Sequence, residues 1–125
     1  MTQRADTLRD LVIATCAISA GIHAALVPAH LAEGAAAGAA FAASAAALAA
    51  LAAALTSRPT PLVLTGTIAT FAGLLAAYAL AITTGLPVLH PEPEPVEGLA
   101  LFTKAVEVTG LAAAAQLLRP RGALA

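Results

Sequence analysis

Charge is what this sequence has least of. Lys, Arg, Asp and Glu together make up 10% of its 125 residues, where water-soluble domains carry about 25%. Hydrophobic residues make up 60%, and mean hydropathy is +0.89. So few charged side chains cannot coat a folded chain of this length in water, which excludes an ordinary soluble domain and places the chain in a lipid bilayer. Cysteine is almost absent too. Cys16 stands alone, so an intrachain disulfide framework and a cysteine-based zinc ribbon are excluded, and it reads as a small packing residue. Net charge is −1; without a basic field, nucleic acid is not expected as a partner. There is no nucleophile–base pair, no glycine-rich phosphate loop and no HExxH helix, so an enzyme is the least supported class.

What the sequence does have is uncharged length. Leu11–Ala29 lies between Asp10 and His30, Gly34–Ser57 between Glu33 and Arg58, and Pro59–Leu89 between Arg58 and His90. Gly98–Leu118 is interrupted only by Lys104 and Glu107. About 20 apolar residues cross a bilayer core as a helix, and in lipid these runs, which lack strand-like alternation, can satisfy their backbone only as helices. The expectation is a single all-α membrane domain: a four-helix transmembrane bundle, up-down-up-down, with spans near 10–30, 34–57, 61–85 and 97–118. Gly85 and Pro87 mark the end of the third. "ATCAISAG" offers small residues of the kind found at signal-peptide cleavage sites, but the apolar run continues well past them, which favours a retained first helix.

Orientation follows from Lys and Arg in the links. Arg4 and Arg9 precede the first span, Arg58 lies in the second link, and Arg119 and Arg121 follow the fourth span. The first link (His30–Glu33) and the third (Leu86–Glu97) hold neither Lys nor Arg. Both termini are therefore expected in the cytoplasm and the His- and Glu-rich links outside, in a multi-pass protein of the cell's inner (cytoplasmic) membrane.

Helix association in lipid rests on close approach of small faces. Gly34, Gly38 and Ala42 form such a ladder in the second span; Ala69, Gly73 and Ala77 repeat it in the third, and Thr103, Gly110 and Ala114 resemble it in the fourth. The large residues of the alanine-rich second span, Phe41, Leu48, Leu51 and Leu55, share one face. On this reading the small faces turn inward and the bulky one faces the tails.

The polar residues inside the spans need partners. A helix rises about 1.5 Å per residue, so His23, seven residues before His30, lies roughly 10 Å below the outer surface. Lys104, seven residues after Glu97, and Tyr78 reach similar depth, and Glu107 is one turn deeper on nearly the same face as Lys104. An ionisable group at the bilayer centre costs about 2.5–3.5 kcal/mol on insertion scales. His23, Tyr78, Lys104 and Glu107 are thus expected to gather inside the bundle. Two roles stay open for them: an ion pair that fixes helix register, or a proton or ion relay with His23 titrating and Tyr78 hydrogen bonding.

The stretch "GIHAALVPAHLAEG" adds a second group. His23 and His30 are about 10 Å apart along a straight helix, too far to share one ion through bonds of about 2 Å. Pro28 removes a hydrogen bond and is expected to kink the helix, freeing the Ala24 carbonyl. Beyond it, His30 and Glu33 face the same way if the helix persists. The third link, "HPEPEPVEG", carries His90, Glu92, Glu94 and Glu97, with Pro91, Pro93 and Pro95 stiffening it into an extended strut. His30, Glu33 and His90 with Glu92 or Glu94 can meet as an imidazole–carboxylate site for a divalent metal, zinc or copper. The alternative is a set of solvated loop residues on a rigid spacer.

"IHAALVPAHLAEGAAAGAAF" together with "GLP…PEPEP…GLALFTKAVEVTGLAAA" resembles small uncharacterised four-span bacterial membrane proteins that carry a histidine–proline–histidine–glutamate element after the first span. The resemblance implies four spans and directs attention to His23, Pro28, His30 and Glu33; it implies no mechanism. Two functions follow. One is a membrane protein that binds or relays a cation, proton or divalent metal, at an outward-facing polar site. The other is a non-catalytic subunit or scaffold of a larger membrane complex, docked through its alanine- and glycine-rich faces; assembly only with copies of itself, a homo-oligomer, is the competing partner and counts against that role.

Overall fold

The computed structural model describes residues 2–120. Four helices account for most of them: α1 (Gln3–Glu33), α2 (Ala35–Ser57), α3 (Pro61–Thr83) and α4 (Gly98–Leu118). Each is long and apolar enough to cross a membrane. Among the described residues there is no strand, only an isolated bridge between Leu86 and His90. Arg121, one of the positive charges flanking the fourth apolar run, lies outside the described residues.

Local chemistry sets the helix ends. Thr2 starts α1, its hydroxyl accepting from the Ala5 N–H at 3.2 Å, and Thr60 starts α3, accepting from the Val63 N–H at 3.3 Å ahead of Pro61. A single residue, Gly34, separates α1 from α2. At the end of α3 the Gly85 N–H closes on the Leu80 carbonyl at 2.8 Å. Gly85 has φ +80°, and a Cβ there would fall on the Pro91 carbonyl, so only glycine fits. The third link opens with a tight reversal in which Leu86 and His90 exchange both backbone hydrogen bonds, at 2.6 and 2.7 Å. It is then tied back to α3 by the Glu94 N–H donating to the Ala81 carbonyl at 2.7 Å.

The helix α1 runs without interruption through Pro28 to Glu33. Proline removes one hydrogen bond, yet the turns on either side carry the helix on, and His30 and Glu33 remain on helical backbone.

Each helix packs on its sequence neighbours, and α4 closes the set against α1. The core between them consists of Val12, Cys16 and Ala20 from α1, Leu48 and Leu55 from α2, Leu64 and Phe71 from α3, and Ala113 and Ala114 from α4. This corrects the expected direction of the α2 faces. Leu48 and Leu55 are completely buried, whereas Ala42 is exposed. The reason is volume: α1 and α4 bring Ala, Ser, Gly and Thr to the interior, and only large side chains from α2 and α3 can fill that space to interior density.

The four glycines expected at helix contacts divide accordingly. A Cβ on Gly38 would fall on Leu31 of α1, and one on Gly110 would fall on Thr15 of α1 and the Phe71 ring of α3, so both sit at close approaches. Gly34 is the joint between α1 and α2, with nothing within 4 Å of an added Cβ. Gly73 is exposed and equally open, so it makes no packing contact within the chain.

The arginine-bearing ends are also linked. Arg4 Nη2 donates to Gln116 Oε1 at 3.3 Å, bringing the start of α1 beside the end of α4. Arg9 lies 3.3 Å from Asp10 and 4.0 Å from Asp6.

Candidate functional site

Two polar groups sit in the bundle, one deep and one at the end where α1 meets the third link. The deep group is built on two helices. Lys104 and Glu107 are three apart on α4, which stacks their side chains, and they form an ion pair. Ser19 and His23 are four apart on α1 and face them. Ser19 Oγ donates to the second carboxylate oxygen of Glu107 at 2.7 Å. Both oxygens of this fully buried carboxylate therefore have a donor. His23, also buried, has Nδ1 2.8 Å from the Ser19 carbonyl, so the proton sits on Nδ1 and Nε2 is left as an acceptor. The Lys104 ammonium lies 5.5 Å from the centre of the Tyr78 ring, within cation–π range. The Tyr78 hydroxyl is buried without a hydrogen-bond partner among the described residues. Lys104 thus touches both Glu107 and the Tyr78 ring, and Ser19 connects His23 to the Glu107 carboxylate.

The second group combines the last turn of α1 with the third link. His30, Glu33 and Glu94 each offer a ligand atom, all within 4.8 Å of one another. His90 Nε2 lies 3.8 Å from Glu33 Oε2 and 3.6 Å from Glu94 Oε1. Each histidine is oriented through its other nitrogen: His30 Nδ1 is 2.9 Å from the Leu26 carbonyl, and His90 Nδ1 is 2.6 Å from the Glu92 carbonyl. That leaves Nε2 of each ring without a backbone partner. Glu92 therefore enters through its backbone carbonyl while its side chain is exposed; of the two acidic residues left open by the sequence, Glu94 is the one brought to Glu33 and His90. Its place is fixed by the hydrogen bond to Ala81.

Phe41 of α2 joins the two groups. The His30 ring stacks on it with centroids 3.5 Å apart and planes 17° from parallel, and the His23 ring lies tilted at 5.3 Å. Beside Phe41 a cavity of about 250 Å³ is bordered by residues of both groups, His23, Tyr78 and Lys104 from the first and His30 and Glu94 from the second.

Ser19 and Phe41 are the residues whose roles here sequence reasoning missed. Ser19 carried a signal, being one turn before His23 on the same helix face. Phe41 is the lone aromatic of an alanine-rich helix. Comparison with family models, with curated proteins and with solved structures gives no match, so the functional argument rests on these residues.

Proposed function

We propose that this chain is a multi-pass membrane protein that binds a divalent metal ion, zinc in the first instance, through His30, Glu33, His90 and Glu94. The observation that carries the reading is the orientation of the two histidines. Each donates Nδ1–H to a backbone carbonyl; His90 Nε2 lies 3.8 and 3.6 Å from the Glu33 and Glu94 carboxylates, and His30 offers a ring nitrogen within 4.8 Å of the same two residues. Metal-binding histidines are held in this way, because the second hydrogen bond fixes the tautomer and raises the basicity of the ligating nitrogen. Tetrahedral zinc with bonds of about 2.0–2.2 Å separates its ligand atoms by roughly 3.3 Å. His90 lies 3.8 and 3.6 Å from the Glu33 and Glu94 carboxylates, and His30, Glu33 and Glu94 lie within 4.8 Å of one another, so binding one ion requires the four side chains to draw closer. Two imidazoles and two carboxylates form a borderline donor set suited to Zn²⁺ and Cu²⁺.

The test is a zinc titration of purified protein in detergent. Replacing His30 and His90 together by Ala is expected to weaken binding by at least the ~10–100-fold that loss of an outer-shell partner alone costs, while Glu92→Gln leaves it unchanged. Equal uptake by wild type and the double variant, or none by wild type, removes the proposal.

The proposed topology is four antiparallel crossings of the cytoplasmic membrane, with both termini inside and the metal site outside. Arg4, Arg9, Arg58 and Arg119 all flank the ends opposite His30 and His90 in this arrangement. In whole cells, a membrane-impermeant maleimide is expected to label Glu92→Cys and to spare Arg58→Cys. The reverse pattern, or labelling of both, refutes this topology.

A further inference from the structure

The cavity beside Phe41 extends beyond the residues of the proposed metal site. Its walls are largely apolar, with Leu26, Leu74, Leu86 and Leu99 among them. The hydroxyls of Ser44 and Thr103 also border it, but both already donate to backbone carbonyls at 2.8 Å. Lys104 differs. Its ammonium has three N–H donors and finds one acceptor among the described residues, Glu107. The Tyr78 hydroxyl, on a residue bordering the same cavity, has none. The occluded Tyr78 hydroxyl presents no surface to it, so a cavity of about 250 Å³ bordered by the under-used Lys104 ammonium matches a ligand that brings an acceptor.

Size and charge narrow the class. An engineered apolar cavity of ~150 Å³ takes a benzene-sized molecule, so this one holds a substituted ring. Glu107 already balances the Lys104 charge, and Glu94 and Glu97 border the cavity as well. A second anion would leave the buried site net negative and is disfavoured. A neutral oxygen is not. We propose that this cavity binds a neutral, ring-sized, carbonyl-bearing molecule dissolved in the membrane, its oxygen accepting a hydrogen bond from the Lys104 ammonium. The site does not require a metal at His30 and Glu94, so chelator is kept present in its test.

The sequence supplies the reporter. Tyr78 is the single tyrosine and tryptophan is absent, so intrinsic emission comes from a ring bordering the cavity, and a bound quinone quenches it by accepting an electron from the excited phenol. Purified protein in detergent with EDTA is titrated with duroquinone. Saturable quenching is expected, displaced by cyclohexyl methyl ketone and not by its anionic counterpart, cyclohexanecarboxylate. Ala100→Phe, which fills the cavity, is expected to abolish the saturable component. Lys104→Met with Glu107→Leu, which removes the donor and its counter-ion together, is expected to weaken it about tenfold. Quenching that rises without saturation reports only partition into the micelle and overturns the proposal. So does equal displacement by the carboxylate, or an Ala100→Phe response matching wild type. The ketone–carboxylate comparison needs only wild-type protein, so it decides the matter even if a variant fails to fold.

Discussion

Replacing Lys104 by Met is expected to destabilise the protein by about 3–5 kcal/mol, whereas Lys104→Met combined with Glu107→Leu is expected to recover most of that loss. The asymmetry comes from where the charges lie. Glu107 is completely buried and relies on two donors, the Lys104 ammonium and the Ser19 hydroxyl. Remove the ammonium and a carboxylate is left in a low-dielectric interior with one neutral hydrogen bond, which does not offset its desolvation. Remove both members and the site becomes apolar. The residual cost is then one lost acceptor for Ser19, about 1 kcal/mol, and Ser19 can turn its hydroxyl to the carbonyl one turn back, as Ser44 does at 2.8 Å. Thermal unfolding of wild type, both single variants and the double variant in one detergent gives the full cycle. A double variant as unstable as Lys104→Met alone would contradict this account and show that the pair supplies something a well-packed apolar core does not.

The same residues show how far the sequence could be read. Length and apolarity locate four helices able to cross a bilayer, but they say little about the turns between them. The first uncharged run begins at Leu11, while α1 starts at Gln3, because Thr2 caps a polar turn that hydropathy does not register. Depth could be counted along each helix, and that arithmetic brought His23, Tyr78 and Lys104 to similar depth with Glu107 one turn below. Ser19 escaped it because a hydroxyl in an apolar helix usually bonds its own backbone. Thr67 and Thr70 do so here, at 2.8 Å each. Spacing likewise showed that Phe41, Leu48 and Leu55 share a face without showing where the face points, since that depends on the volume the other helices leave unfilled. The choice between Glu92 and Glu94 was illegible for a related reason. A proline-rich link has no period from which direction can be read, and the tie from Glu94 to Ala81 is a tertiary contact.

Gly110 and Gly73 carry that limit to its sharpest case, because in sequence they are equivalent: each is a glycine in a ladder of small residues within an apolar run. Their substitutions are expected to part completely. Gly110→Val places its new atoms on Thr15 and on the fully buried Phe71 ring. Neither can yield easily: Thr15 is buried on α1, with its hydroxyl held by the Val12 carbonyl at 2.9 Å, and Phe71 fills the centre of the core. The helices α1, α3 and α4 must then separate, and a loss of about 3 kcal/mol, at the upper end of overpacking costs, is expected. A Cβ at the exposed Gly73 meets nothing within 4 Å, and Gly73→Val is expected to stay within about 0.5 kcal/mol of wild type. Unfolding of the two variants side by side in detergent measures the difference. If Gly73→Val proves as damaging as Gly110→Val, the exposed face of α3 is covered in the purified particle, and a second copy of the chain occupies it. If both are silent, the close crossing at Gly110 is not what holds α4 against α1 and α3.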